Sequence, residues 1–231
     1  MKTLGLIGGM SWESTVPYYQ QINRTVKAQL GGLHSAKLIL YSVDFAEIEQ
    51  LQASGQWEAA GALLADIAQT LERAGAQGLV LCTNTMHKVA AAIERAVAIP
   101  LLHIADPTAQ AIRQAGFTRV GLLGTRFTME QDFYRQRLEQ NHGLTVLVPP
   151  PAGRELVHRV IYEELCLGQV LDASRDGYLR IIRDLQTQGA QAIILGCTEI
   201  ALLIEPIHCP LPLFDTTALH ARHAADWALT V

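Results

Sequence analysis

The chain has 231 residues, 49% of them hydrophobic and 17% charged, with a formal net charge of −4. It is long enough to bury a sizeable core, and its composition is that of a folded protein rather than a disordered one. The acidic balance without any basic block argues against a nucleic-acid partner, and no run of about 18 apolar residues is present to span a membrane.

Short apolar runs alternate with longer helical patterns. Leu4 to Ile7 reads as a strand that ends at Gly8-Gly9, with no long apolar stretch of the signal-peptide kind. Trp12 to Leu30 reads as a helix stopped by Gly31-Gly32, and Lys37 to Val43 as the next strand. Asp44 is placed to cap a helix from Phe45 to Leu51. Trp57 to Arg73 carries Ala60, Leu63, Leu64, Ile67 and Leu71 on one helical face. Gly78 to Cys82 is a strand, Lys88 to Ala96 a helix and Leu101 to Ile104 a further strand. This βαβα order with continuously apolar strands predicts parallel sheets covered by helices on both faces.

The chain then repeats itself. Gly5-Leu6-Ile7-Gly8 returns as Gly121-Leu122-Leu123-Gly124. Gly75-Ala76-Gln77-Gly78-Leu79-Val80-Leu81 returns as Gly189-Ala190-Gln191-Ala192-Ile193-Ile194-Leu195, and Pro100-Leu101-Leu102 as Pro212-Leu213-Phe214. Three matches in one order at nearly one spacing predict an α/β protein of two pseudo-symmetric lobes, each a roughly four-stranded parallel sheet flanked by helices. The expected boundaries are residues 1–98 plus 210–231 for one lobe and 99–209 for the other.

Parallel sheets carry ligand chemistry at the carboxyl ends of their strands. The residues there are Gly8 to Thr15, Thr83 to His87, Thr125 to Thr128, and Cys197 to Glu199, expected to line a cleft between the lobes. In the repeat Thr83 corresponds to Cys197. Each follows an apolar strand and precedes small polar residues, Asn84-Thr85 in one case and Thr198-Glu199 in the other.

A hydroxyl and a thiol on opposite sides of one carbon suit an inversion, in which a base takes a proton from one face and an acid returns one to the other. A threonine hydroxyl is a poor base at neutral pH, whereas a thiol has a pKa of about 8.5 that surroundings can tune. Cys197 is therefore the expected base and Thr83 the proton donor. Backbone N–H groups in the Gly8-Gly9 and Asn84-Thr85 turns are suited to hold carboxylate oxygens and a developing enediolate.

No P-loop, GxGxxG or HExxH pattern occurs, and no cofactor is expected. The histidines His34, His142, His158, His208, His220 and His223 lack ligand spacing with cysteines or carboxylates, so no metal is expected. Cys82, Cys166, Cys197 and Cys209 show no CxxC spacing, which points to reduced thiols in a cytoplasmic protein. Strand alternation turns Cys82 away from Thr83 and into the core.

These motifs resemble the aspartate/glutamate racemases. Leu81-Cys82-Thr83-Asn84-Thr85-Met86-His87 is similar to the first catalytic motif of that family and Gly196-Cys197-Thr198-Glu199 to the second. Gly8-Gly9-Met10-Ser11-Trp12-Glu13-Ser14-Thr15 is similar to the opening of its aspartate-racemase branch, close to the L-Asp/Glu-specific or broad-specificity enzymes. The resemblance spans the chain and implies a two-lobe fold, a homodimer, no pyridoxal phosphate and an acidic amino acid as the small-molecule substrate.

The chain departs from the family's usual pair of cysteines in having Thr83 at the first position; a small subgroup pairs Thr with Cys. The resemblance further implies that Cys197 deprotonates the L-enantiomer. It also implies that Met10 and Ser11 contact the substrate carboxylate and that Gln52 and Glu199 are polar contacts. Asn84, Thr85, Thr125 and Thr198 complete the expected substrate-binding set, with Arg126 as a candidate partner for a side-chain carboxylate and His87 as a packed or capping residue. The competing readings are another enzyme of the superfamily (a hydantoin racemase, maleate isomerase or arylmalonate decarboxylase), a non-catalytic amino-acid-binding protein on the same scaffold, and a nucleotide-binding Rossmann protein, disfavoured by the missing GxGxxG spacing.

Overall fold

The structure, a computed structural model, describes residues 1–230. The chain divides into two compact units, one of residues 1–104 with the segment from His220 onward, the other of Ala105–Leu219.

In the first unit the order is β1 (Leu4–Gly8), α1 (Trp12–Leu30), β2 (Leu38–Ser42), α2 (Phe45–Ala53), α3 (Trp57–Arg73), β3 (Gly78–Leu81), α4 (Ala90–Ala96) and β4 (Leu101–Leu102). All four strands are parallel, in the order β2-β1-β3-β4. Strand alternation sorts their side chains onto two cores. Ile7, Leu79, Leu81 and Leu101 pack with α3 and α4. Leu4, Leu6, Val80, Cys82 and Leu102 pack with Tyr18, Ile22 and Val26 of α1. Cys82 is thus a core side chain, as its parity predicts.

The second unit runs α5 (Ala105–Gln114), β5 (Arg119–Gly124), α6 (Arg126–Glu130), α7 (Asp132–Gln136), β6 (Thr145–Leu147), α8 (Pro151–Glu163), α9 (Asp172–Thr187), β7 (Ala192–Gly196), α10 (Ile200–Leu203) and β8 (Leu213–Asp215). Its parallel sheet has the corresponding order β6-β5-β7-β8. The repeat is visible in the registers: Ile7 pairs with Leu81 in the first sheet and Leu123 with Leu195 in the second. Thr83 and Cys197 each stand two residues beyond these equivalent pairs. The last helix, α11 (Thr216–Leu229), starts in the second unit and returns Ala221, Ala224, Ala225 and Ala228 to the α1-side core of the first.

The expected boundaries at 98/99 and 209/210 are displaced by the strand pairing. Leu79 and Val80 pair with Leu101 and Leu102, which brings β4 into the first unit, and Ile193 to Leu195 pair with Leu213 to Asp215, which brings β8 into the second. Several element ends also differ from expectation by one to two residues, as for β2 (Leu38–Ser42), α2 (Phe45–Ala53) and β3 (Gly78–Leu81). The helix expected from Lys88 begins as a 3-10 turn at Thr85–Val89 and turns α-helical only at Ala90. The strand expected to reach Ile104 ends at Leu102.

Candidate active site

In the first unit the loop after β1 is closed on itself. The Gly9 N–H donates to Thr15 Oγ1 at 2.8 Å, and the Thr15 and Ser14 hydroxyls both donate to the Ser11 carbonyl at 2.9 Å. Gly9 has φ +90, and a Cβ there would lie 2.4 Å from the Val43 carbonyl oxygen, so only glycine fits. The Met10 side chain packs into the α3/α4-side core with Ile7, Ile48 and Met86, and Ser11 is buried. Met10, expected as a substrate contact, thus lends its side chain to the core. Gln52, buried on α2, donates from Nε2 to Met86 Sδ at 3.0 Å, which ties it to the turn after β3.

That turn carries Thr83, Asn84, Thr85 and His87, all buried. β3 ends where the Cys82 N–H donates to the Ile7 carbonyl at 2.9 Å, and the Thr83 N–H folds back onto the Leu81 carbonyl at 2.9 Å. The His87 N–H donates to the Asn84 carbonyl at 3.1 Å, a 3-10 contact. The His87 imidazole reaches the Thr83 carbonyl at 2.8 Å through Nδ1. Burial drives the Cys82 thiol far above its ordinary range, so it is no source of thiolate.

In the second unit β5 and β7 end side by side at the paired Gly124 and Gly196, where a Cβ on Gly124 would lie 2.8 Å from the Gly196 carbonyl oxygen. This close approach places Thr125 and Cys197 next in line at one sheet edge. Thr125 caps α6, its Oγ1 accepting from the Thr128 N–H at 3.3 Å and lying 3.2 Å from Thr128 Oγ1. Its hydroxyl, expected as a substrate donor, has this local role as well. Arg126, the candidate partner for a substrate carboxylate, is exposed and pairs with Glu155 at 3.2 Å.

Cys197, Thr198 and Glu199 converge on one oxygen. The Cys197 Sγ–H donates to Glu199 Oε2 at 3.0 Å and the Thr198 hydroxyl to the same oxygen at 2.6 Å. Cys197 and Thr198 are half-buried, and Glu199 is buried. Burial, then the negative charge of Glu199 and the neighbouring Cys166, pushes the Cys197 thiol well above its ordinary value. The resting group is therefore a thiol beside a ready acceptor for its proton. The resemblance implies Glu199 only as a polar contact; in the structure its Oε2 also accepts from the Cys197 thiol.

Sequence reasoning also missed a histidine group. His87, His103 and His220 have ring centroids 4.4 Å and 5.9 Å apart for the His87–His103 and His87–His220 pairs. No motif spacing signals this, because β3, β4 and α11 bring the three together. Among the described residues no three or more His, Cys, Asp or Glu side chains are grouped to hold a metal ion, and no helix is long and apolar enough to cross a membrane.

The family model described as Asp/Glu/Hydantoin racemase matches residues 7–224. A Bacillus subtilis broad-specificity amino-acid racemase, RacX, is 23% identical over 95% of both chains. Among solved structures, a Yersinia pestis protein provisionally assigned as an Asp/Glu racemase is 62% identical over the whole of both chains, with a TM-score of 0.93. An aspartate racemase homologue from Pyrococcus horikoshii is 34% identical, again over the whole of both chains, with a TM-score of 0.85.

Proposed function

Since the chain belongs to the Asp/Glu/hydantoin racemase family and is an amino-acid racemase, we propose that it inverts aspartate or glutamate, without pyridoxal phosphate, using Cys197 as base and Thr83 as the opposing proton donor. The observation that carries this reading is the Cys197 thiol donating to a buried carboxylate at 3.0 Å. A thiol held well above its ordinary pKa is protonated at rest. Handing its proton to Glu199 gives a thiolate that is a stronger base than an ordinary one, which suits a weak carbon acid.

For the L-enantiomer the thiolate takes the Cα proton, and the electron pair moves into the carboxylate as an enediolate. Backbone N–H groups in the Asn84-Thr85 turn after β3 are suited to hold its oxygens, whereas the Gly9 N–H after β1 is taken by Thr15 Oγ1. The Thr83 hydroxyl then gives a proton to the opposite face of Cα and regains one from water, while Glu199 releases its proton to solvent. The register equivalence of Thr83 and Cys197 supports this division of labour. A hydroxyl donates more readily than it abstracts at neutral pH, so the two directions differ in kcat. The enantiomers have equal free energy, so kcat/KM is the same for both.

The test is Cα exchange in D2O, followed by NMR, with L- and D-aspartate and L- and D-glutamate. Deuterium enters with inversion in the native protein. Cys197→Ser lowers exchange from the L-enantiomer by roughly 100-fold or more, and Thr83→Ala blocks inversion. Unimpaired exchange in Cys197→Ser removes the base assignment. An active protein that exchanges hydantoins but neither acidic amino acid removes the substrate assignment.

A further inference from the structure

We infer that His87 is a positioning residue for the proposed proton donor: its imidazole clamps the Thr83 main chain and ties it to the end of β4. The inference rests on the reading of Thr83 given above.

The tight turn after β3 creates the need. In a regular α-helix the His87 N–H would go to the Thr83 carbonyl four residues back. Here the turn is 3-10, and that N–H goes to the Asn84 carbonyl at 3.1 Å. A carbonyl in so buried a turn needs another donor. The His87 side chain supplies it, with Nδ1 lying 2.8 Å from the Thr83 oxygen.

The partners settle which nitrogen carries the proton. The Ile104 N–H can only donate, and it points at His87 Nε2 at 3.2 Å. Nε2 is therefore the unprotonated acceptor, and Nδ1–H is the donor to Thr83. Thr83 is thus held at its own N–H by the Leu81 carbonyl and at its carbonyl by His87. With both ends fixed, the direction of its Cα–Cβ bond is fixed, and the hydroxyl needs only one rotamer choice.

The support continues outward. His220 Nε2 donates to the Leu102 carbonyl at 2.7 Å, two residues before Ile104, and its Nδ1 accepts from the Tyr18 hydroxyl at 2.9 Å. The His103 ring meets His87 edge-on. The device belongs to the threonine side alone. In the second unit the Cys197 carbonyl takes a backbone N–H, that of Ile200, at 3.2 Å, and Ala201 stands at the repeat position of His87.

The experiment follows L-substrate in D2O and separates product D-enantiomer from L-enantiomer that has exchanged with retention. Proton removal by Cys197 feeds both products; only inversion needs Thr83. His87→Ala is expected to lower inversion roughly 10- to 100-fold, the range for displacing a reacting group by a fraction of an ångström to one ångström. Exchange with retention falls far less, so the product ratio shifts toward deuterated L-enantiomer. His87→Asn keeps a donor for the Thr83 carbonyl but no acceptor for the Ile104 N–H, and recovers part of the inversion; it also serves if His87→Ala does not fold.

A purely structural role predicts that both products fall together. An unchanged ratio in the His87 variants, alongside a shifted ratio in Thr83→Ala, overturns the positioning role and leaves Thr83 in place. An unchanged ratio in Thr83→Ala overturns the reading of Thr83 and the His87 role with it. Nitrogen-15 NMR of the native imidazole checks the geometry without turnover: an Nδ1–H neutral ring is expected, and an Nε2–H ring overturns the clamp.

Discussion

Glu199 is two residues from the proposed base and, unlike an ordinary surface carboxylate, is buried. Its Oε2 collects the Cys197 thiol at 3.0 Å and the Thr198 hydroxyl at 2.6 Å. Two effects of its charge oppose each other. It raises the energy of the thiolate, adding to burial in holding the thiol well above its ordinary pKa, and in the proposed mechanism it is the acceptor that lets the thiolate form. Glu199→Gln separates them. Without the negative charge the Cys197 pKa moves down, so alkylation of Cys197 at neutral pH, read by mass spectrometry, becomes faster. Racemisation becomes slower, by about 100-fold if the carboxylate acts as a general base. Faster alkylation with undiminished racemisation would leave Glu199 as a pKa-raising neighbour only. The sequence showed Glu199 as a polar residue beside a motif cysteine, but which partner it served depended on side-chain direction. Thr125 teaches the same point: its place after β5 was legible, whereas its bond to the Thr128 N–H is a property of the folded turn.

At the level of elements, legibility followed pattern length. Helices α1 and α3 have the ends the sequence implies, since seventeen or more residues of 3.6-residue periodicity leave little freedom and Gly31-Gly32 stops the first. The Asp44 cap on α2 was legible too, and its Oδ1 accepts from the Ala46 N–H at 3.0 Å. The turn after β3 was not, because the choice between 3-10 and α hydrogen bonding is made by burial and by a histidine side chain rather than by periodicity. Nor was the clamp on α5. There Arg137 donates to both Asp106 oxygens at 2.7 Å, and His142 Nε2 lies 3.1 Å from Oδ1. Burial alone would raise the Asp106 pKa, but the hydrogen bonds and charges of Arg137 and His142 outweigh it, and the net shift is downward from 3.8. A carboxylate whose folded pKa is depressed contributes stability that is present above its unfolded pKa and lost as pH falls through the folded one. Asp106→Asn should therefore cost on the order of 2 kcal/mol at neutral pH. That cost should shrink as the pH falls below the ordinary aspartate range, where the native Asp106 itself becomes protonated. Urea midpoints of the two proteins across this range check it; a gap that persists unchanged into acid would mean that the charge of Asp106 contributes nothing.

Taken as a whole, the chain builds one sheet design twice and closes the first copy with its last helix. The repeat was legible because three matches fall in one order at nearly one spacing, and β4 and β8 were its weakest parts because two or three residues carry no period; only hydrogen-bonded partners assign them. The return of α11 had no local signature beyond its alanines. Ala221, Ala224, Ala225 and Ala228 present a smooth face to Leu4, Leu6, Val80 and Tyr18. Small side chains let the helix come close, and Gly78 on β3 leaves room for the Trp227 ring, which a Cβ would meet at 2.5 Å. A close-packed face of this kind has no slack for added methylenes. Ala224→Leu is therefore expected to destabilise the protein by roughly 1–3 kcal/mol. The cost should appear first in the unit whose core is overfilled: amide exchange should speed up in β1, β3 and α1, while β5 and β7 keep their protection. The overfilled core lies within the first unit, every one of its residues belonging there, and an element opens at the free energy of the contacts it must break. Equal loss of protection in β5 and β7 would show instead that the two halves unfold as one cooperative block. In that case the twofold repeat is a feature of the architecture alone, and stability is shared along the whole chain.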